Sequence, residues 1–375
     1  MPTFIQDSIH GYIKLNDEEE TIIDRPEFQR LRRIQQLGLS SLVYPSATHN
    51  RFQHSIGVMH VAGKFAEGLN LDNQKTKELR IAGLLHDAGH GPFSHASEVL
   101  AEREGFSHED MSCKVVDSLE ADLSVDADRV KRIIKGELEI GRVVAGDVDA
   151  DRMDYLQRDA HATGVNYGHI DADTIVRLSE IDSRRLVFDY KAIPALESLL
   201  TARFHMMKSV YLHKTCLIAD KMLERSLENF LYDHDIDELM KMDDYEAHTQ
   251  LLKEGNGIYR DLSQRKLFKN AVNLDQNDLS RKRLEELSES SEKDIESEIK
   301  QISGAKDILV DLPTIPSNRE FEIRVKRNGE IYPMSELSSI PSALREAEWQ
   351  LANIGVYCKP ENTESVKKAS RKALV

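Results

Sequence analysis

Fifteen residues, LLHDAGHGPFSHASE at positions 84–98, constrain this chain more than any other stretch. His86 and Asp87 are adjacent, His90 follows one helical turn after His86, and Gly89, Gly91 and Pro92 crowd around it. The glycines and the proline predict a helix that ends around His90–Pro92, where side chains can converge on a cavity. Imidazole and carboxylate both donate to borderline-hard divalent cations. Neighbours on a helix diverge by about 100°, so His86 and Asp87 bracket one metal only at a helix end or in a cleft, and further ligands must come from elsewhere. Two segments offer them. One is HNRFQHSIGVMHV, where His54 opens a helical pattern; the other is AGDVDADRMDYLQRDA, with Asp147, Asp149, Asp151, Asp154 and Asp159. The second lacks the glycine and the terminal glutamate of a calcium loop.

Most of the remaining N-terminal part reads as helix. PEFQRLRRIQQLG carries Phe28, Leu31, Ile34 and Leu37 at spacings of three, a stripe that predicts one helix ended by Gly38. VMHVAGKFAEGLN and KTKELRIAGLLHDAGH show the same period, as does the proline-free LESLLTARFHMMKSVYLHKTCLIADKMLERSLENFL. Phe4–Ile5 and Tyr12–Ile13 around His10-Gly11 predict a hairpin, and RRLVFDY (Arg184 to Tyr190) a short strand. The later part differs. LSRKRLEELSESSEKDIESEIKQIS (279–303) predicts a solvated helix or coiled arm. ILVDLP and REFEIRV read as strands, ALREAEWQLANIG as a helix, and ESVKKASRKALV as a basic, frayed tail. The expected architecture is mainly α: a helical bundle over residues 1–235 with a smaller C-terminal α+β lobe over 236–375.

Composition narrows the function. With 375 residues, 40% of them hydrophobic, the chain can build one large domain or two modest ones. A formal net charge of −15 disfavours strong nucleic-acid binding but leaves room for a local basic cluster around an anionic substrate. Cys113, Cys216 and Cys358 are far apart and form no CxxC pair, which argues against a zinc ribbon or a disulfide framework. The start has no secretory pattern and no apolar run approaches a membrane span, so the expected location is cytoplasmic, with no membrane partner.

The order His, then His-Asp, then Asp resembles the HD-domain metallophosphohydrolases. FQRLRRIQQLG, HNRFQHSIGV, IAGLLHDAGHGPFSH, FSHED and DADRMDYLQRDAHATG are similar to their dNTP triphosphohydrolase branch, whose vertebrate member carries a sterile alpha motif. No such motif is expected here. The resemblance implies that His54, His86, Asp87 and Asp151 hold the metal. It places His90 and His108 at the reacting phosphate, Glu109 as the group orienting His90 or a water, and His95 in a phosphate-contacting or proton-donating role. Glu98 stands where the family keeps an acidic residue. Arg51, Arg152 and Arg203 would contact phosphates; Tyr155, Asp159 and Gln36 the sugar, the last two at its 3′-hydroxyl. Tyr211 would pack on the deoxyribose.

The implied reaction is attack at the α-phosphorus of a deoxynucleoside triphosphate, releasing deoxynucleoside and tripolyphosphate. The alternatives are an HD phosphohydrolase for another nucleotide phosphate ester (a monophosphate, a cyclic nucleotide or a guanosine polyphosphate) or a non-catalytic nucleotide-sensing protein. Manganese, iron, magnesium, zinc and nickel all suit such N/O ligands. The family's regulated members form homo-oligomers and bind an activating nucleotide (GTP or a dNTP), and His10, Asp24, Gln29 and Arg32 match part of that activator site. Asp24 is also expected as a cap on the helix starting at Pro26.

Overall fold

In the computed structural model, which describes residues 3–183, 185–316 and 323–375, the central element is the helix Arg51–Gly68. It opens with a capping box: Asn50 accepts from the Gln53 amide, and Gln53 accepts from the Asn50 amide. Phe52, Ile56, Val58, Met59, Val61 and Phe65 are all buried. A helix apolar on nearly every side must be covered on several faces. Asn73–Leu85 and Ala150–Thr163 supply two of those covers. Glycine permits both crossings. A Cβ on Gly83 would lie 3.2 Å from that of Ala62, and one on Gly57 would fall 1.9 Å from Asp154 Oδ1.

The chain divides into two compact units. The first comprises Met1–Met207, Asp235–Ala247 and Arg319–Pro341. It holds the helices just described and the antiparallel hairpin Thr3–Asp7/Gly11–Leu15, with Ile5 opposite Ile13. It also holds a four-stranded sheet in which Arg185–Asp189 pairs antiparallel with Ser179–Asp182 and parallel with Arg324–Arg327, followed by Glu330–Pro333. The second unit comprises Lys208–His234, His248–Asn318 and Ser342–Val375. Its three-stranded sheet has Ile354–Cys358 between Lys269–Leu274 and Ile308–Asp311. Helices dominate both units, and no helix among the described residues is long and apolar enough to cross a membrane.

The hairpin and the strands at 185–189 and 308–311 form where the alternation predicts them. REFEIRV is described from Ile323 onward, with a strand at Arg324–Arg327; Arg184 and residues 319–322 lie outside the described residues.

Five expectations are corrected. The stripe at 26–38 is not one helix: Pro26–Gln29 passes into a 3₁₀ turn, Arg30–Arg33, and Ile34 is extended because its carbonyl accepts from Arg51 N. The helix before the histidine cluster ends at Leu85, so that Asp87 to Ser94 is a turn. Asp24 does not cap the helix at Pro26, whose N-cap is Arg25. Residues 279–303 are not a solvated arm: Leu284, Leu287, Ile295 and Ile299 of two helices sit in the core of the second unit. The tail is the helix Thr363–Leu374, with Val366, Ala369 and Leu374 in that same core. In both segments a sparse apolar stripe outweighs the charge around it.

Candidate metal centre

His54, His86 and Asp87 converge from two helices and a turn, with one ligand atom of each within 4.8 Å of the others. His54 lies one turn into Arg51–Gly68, and His86 ends Asn73–Leu85. Asp151 comes from the first turn of Ala150–Thr163, which Asp149 caps by accepting from Arg152 N. Its Oδ1 lies 2.9 Å from His54 Nε2 and 3.6 Å from His86 Nε2. His54, His86 and Asp87 are buried, while about a third of the Asp151 side chain is open at the mouth.

The two imidazoles are prepared as ligands by what their other nitrogens do. His54 Nδ1 donates to Asp154 Oδ2 at 2.8 Å, and His86 Nδ1 to the Gly83 carbonyl at 2.9 Å. In the neutral rings each Nε2 would carry the lone pair that a metal needs, and both Nε2 atoms are buried without a well-directed hydrogen bond. Two orphaned imidazole nitrogens facing two carboxylates are costly unless something binds them. The N₂O₂ donor set fits a divalent transition metal. Burial works against a charge on His54, but Asp151 and Asp154 outweigh it and raise this imidazole to about 10. Burial raises Asp87, yet His86, Arg51 and His90 hold it well below the usual carboxylate range. A metal bound here would take the place of the proton on His54.

A second group lies beside the first. His90 is buried, with Nε2 3.3 Å from Asp87 Oδ1, and its ring stacks on His108 at 4.7 Å between centroids and 15° between planes. His108 Nδ1 is hydrogen-bonded to Glu98, and its Nε2 is 3.4 Å from Glu109. Glu98 also meets His95 Nδ1 at 3.2 Å, and most of the His95 ring is exposed. Burial and then Arg51 push His90 down to about 3. Burial pushes His108 the same way, but Glu98 carries it to about 9. One imidazole of the stacked pair thus holds a proton at neutral pH and the other does not, a division that sorts acid from base.

The remaining expected residues distribute unevenly. Arg51 is buried and ion-paired with Asp87 Oδ2, and its Nε donates to Ser94 Oγ at 2.7 Å. Arg152 donates to the Asp147 carbonyl at 2.8 Å. Asp159 is buried and paired with His49 at 2.8 Å, and Gln36, also buried, has an unpartnered Oε1. Tyr155 is pushed up to about 12 by burial and also feels Arg152 and Arg203. Arg203 lies on Ile193–Met206 in the first unit. Tyr211 ends the π turn Met207–Tyr211 and falls in the second unit. His10, matched on sequence to an activator site, is largely buried, with Nε2 2.6 Å from Asp154 Oδ1.

Three supporting residues, Ser94, Arg30 and Asp244, escape sequence reasoning, and Asp154, read there only as one of several candidate ligands, joins them in bracing the centre. Arg30 donates to the carbonyls of Ala88 and His90 at 3.2 and 2.7 Å, and to that of Met242 at 2.7 Å. Asp244 accepts from Phe93 N at 2.6 Å and Gln35 N at 2.9 Å. The strained turn they hold has positive φ at Phe93 (59°) and Ser94 (51°). A run of two non-glycine residues in this region was the signal to look for, but φ is not written in a sequence.

Residues 51–159 match the HD domain and residues 170–375 the HD associated region. The chain belongs to the HD-domain phosphohydrolase family, whose domains bind divalent metals. Among its relatives, an uncharacterised protein of Methanocaldococcus jannaschii is 37% identical over 97% of this chain and 80% of its own. The deoxynucleoside triphosphate triphosphohydrolase SAMHD1 homolog of Dictyostelium discoideum is 37% identical over 59% of this chain, and the match spans 49% of that protein. A solved phosphohydrolase from Bacteroides thetaiotaomicron superposes with a TM-score of 0.76 at 26% identity, covering 95% of this chain and 99% of its own.

Proposed function

We propose that this protein hydrolyses deoxynucleoside triphosphates to deoxynucleoside and tripolyphosphate. The observation that carries the reading is the N₂O₂ cluster with His90 and His108 stacked beside it and His108 bonded to Glu98. Kinship with the Dictyostelium enzyme supports the choice of substrate. A metal held by His54, His86, Asp87 and Asp151 would polarise a phosphoryl oxygen and lower the pKa of bound water. As water attacks the α-phosphorus and its bond to the 5′-oxygen breaks, His108, kept protonated by Glu98, donates to that leaving 5′-oxygen; His95, on the same carboxylate, contacts the triphosphate. His90 stays neutral and takes a proton from the attacking water. Arg51 holds Asp87 in place, while Arg152 and Arg203 neutralise phosphate charge and Tyr155, Asp159 and Gln36 bind the sugar. Tyr211 selects deoxyribose by packing on it. An activating nucleotide and a homo-oligomeric assembly belong to the same reading.

The test is incubation of manganese-loaded protein with each dNTP, with and without GTP, and chromatography of the products. Deoxynucleoside with tripolyphosphate is the expected result, and a GTP requirement would reveal activation. Metal-loaded protein that turns over none of them, but cleaves a monophosphate or a cyclic nucleotide, would replace this substrate assignment.

A further inference from the structure

Asp154 is fully buried, and all four acceptor positions of its carboxylate are filled. Oδ1 takes His10 Nε2 at 2.6 Å and Arg158 Nη2 at 2.8 Å; Oδ2 takes His54 Nδ1 and Arg158 Nε, both at 2.8 Å. A carboxylate held from four directions cannot rotate. The His54 ring that it grips is fixed in tautomer and in angle, and with it the Nε2 atom that faces Asp151. Gly57, one turn beyond His54, leaves the space that Asp154 Oδ1 occupies.

The grip extends to the N-terminus. Arg158 Nη1 donates to Asp7 Oδ2 at 2.9 Å, and Asp7 Oδ1 accepts from the amides of Ile9 and His10, both at 2.9 Å. The hairpin turn Asp7–Gly11 is thereby closed on the same charges that hold His54. The His10 ring also packs on His60, with centroids 5.1 Å apart.

We propose that Asp154 is a positioning residue of the metal centre, and that the hairpin turn, through His10, is part of the device that sets metal affinity. Residues more than a hundred positions apart then form one support: hairpin turn, Arg158, Asp154, His54. The inference rests on the metal-centre reading and is independent of the substrate.

The experiment measures Mn(II) dissociation constants of the full chain by electron paramagnetic resonance, and the visible spectrum of its Co(II) form. The proteins are wild type, Asp154→Asn, His10→Ala and His10→Gln. Asp154→Asn should weaken Mn(II) binding by about 10- to 100-fold, as loss of a ligand's outer partner does. His10→Ala should weaken it by about fivefold, the worth of one hydrogen bond, and His10→Gln, which keeps a donor, should recover most of that. The Co(II) bands should shift in Asp154→Asn, since they report the ligand field. A purely structural Asp154 would lower the melting temperature and leave both the constant and the bands alone, which overturns the proposal. Should Asp154→Asn not fold, the two His10 variants decide: equal affinities in Ala, Gln and wild type refute it. Wild type that binds neither ion removes the metal centre itself, and this proposal with it, before any variant is compared.

Discussion

Glu98→Gln isolates the electrostatics of the second group. The change keeps size and one acceptor but removes the charge that holds His108 protonated. In the folded protein burial lowers His108 and Glu98 more than compensates, lifting it from 6.5 to about 9. That lift corresponds to about 3 kcal/mol between the two protonation states, an upper figure because solvent reaches part of the ring. Without the charge, His108 should titrate at about 6.5 or below. At about pH 8 its protonated fraction then falls from about 90% to about 3% or less. Turnover should fall by at least about 30-fold at that pH, and the deficit should shrink as pH drops toward the lowered midpoint, if His108 is the proton donor. Stability follows the same sign. A histidine raised on folding stabilises fully below its unfolded value near 6.5 and loses that contribution as pH rises through about 9. The melting advantage of wild type over Glu98→Gln should be largest near pH 6 and fade above pH 9. The direct assay is a nuclear magnetic resonance titration of the His108 ring in both metal-free proteins. Identical midpoints would refute the reasoning at its root.

Three further outcomes are expected. Asp151→Ala should lose metal and activity together, since it deletes a ligand carboxylate; elemental analysis showing one metal per chain in that variant would remove Asp151 from the ligand set. His90→Ala should retain metal and slow turnover by about 10²–10⁴-fold, the usual worth of a general acid or base, and an unchanged rate constant would take His90 out of the mechanism. Tyr211→Ala should narrow the preference for deoxyribo- over ribonucleotides, measured as a ratio of kcat/KM values, and a constant ratio would mean that the sugar is read elsewhere.

The helices of the first unit are legible because their apolar periods are long and uninterrupted, as in VMHVAGKFAEGLN. Adjacency of chemistry is legible in HDAGHG because His90 and two glycines follow the His86–Asp87 pair within four residues. What escapes is set by distant partners. Ile34 continues a helical stripe, yet its carbonyl is taken by Arg51. Leu284 and Ile299 stand among charges, yet they are core, because the second unit's sheet needs cover and those few apolar residues share a face. Asp154 sits in a run of aspartates with nothing local to set it apart from Asp147 or Asp149; only the fold brings His10, His54 and Arg158 onto it.

The turn through Phe93 and Ser94 bears on how the protein is made. Two residues with positive φ store strain that local sequence cannot offset. Their anchor, Asp244, lies 151 residues further along the chain, beside the Met242 carbonyl that Arg30 needs. During translation the HDAGHGPFSH stretch therefore leaves the ribosome long before its brace exists. The native contacts of that stretch with Asp244, and of Arg30 with the Met242 carbonyl, can form only after the segment 240–244 has emerged. A message truncated ahead of that segment would yield a chain with every proposed metal ligand and without the brace of its turn.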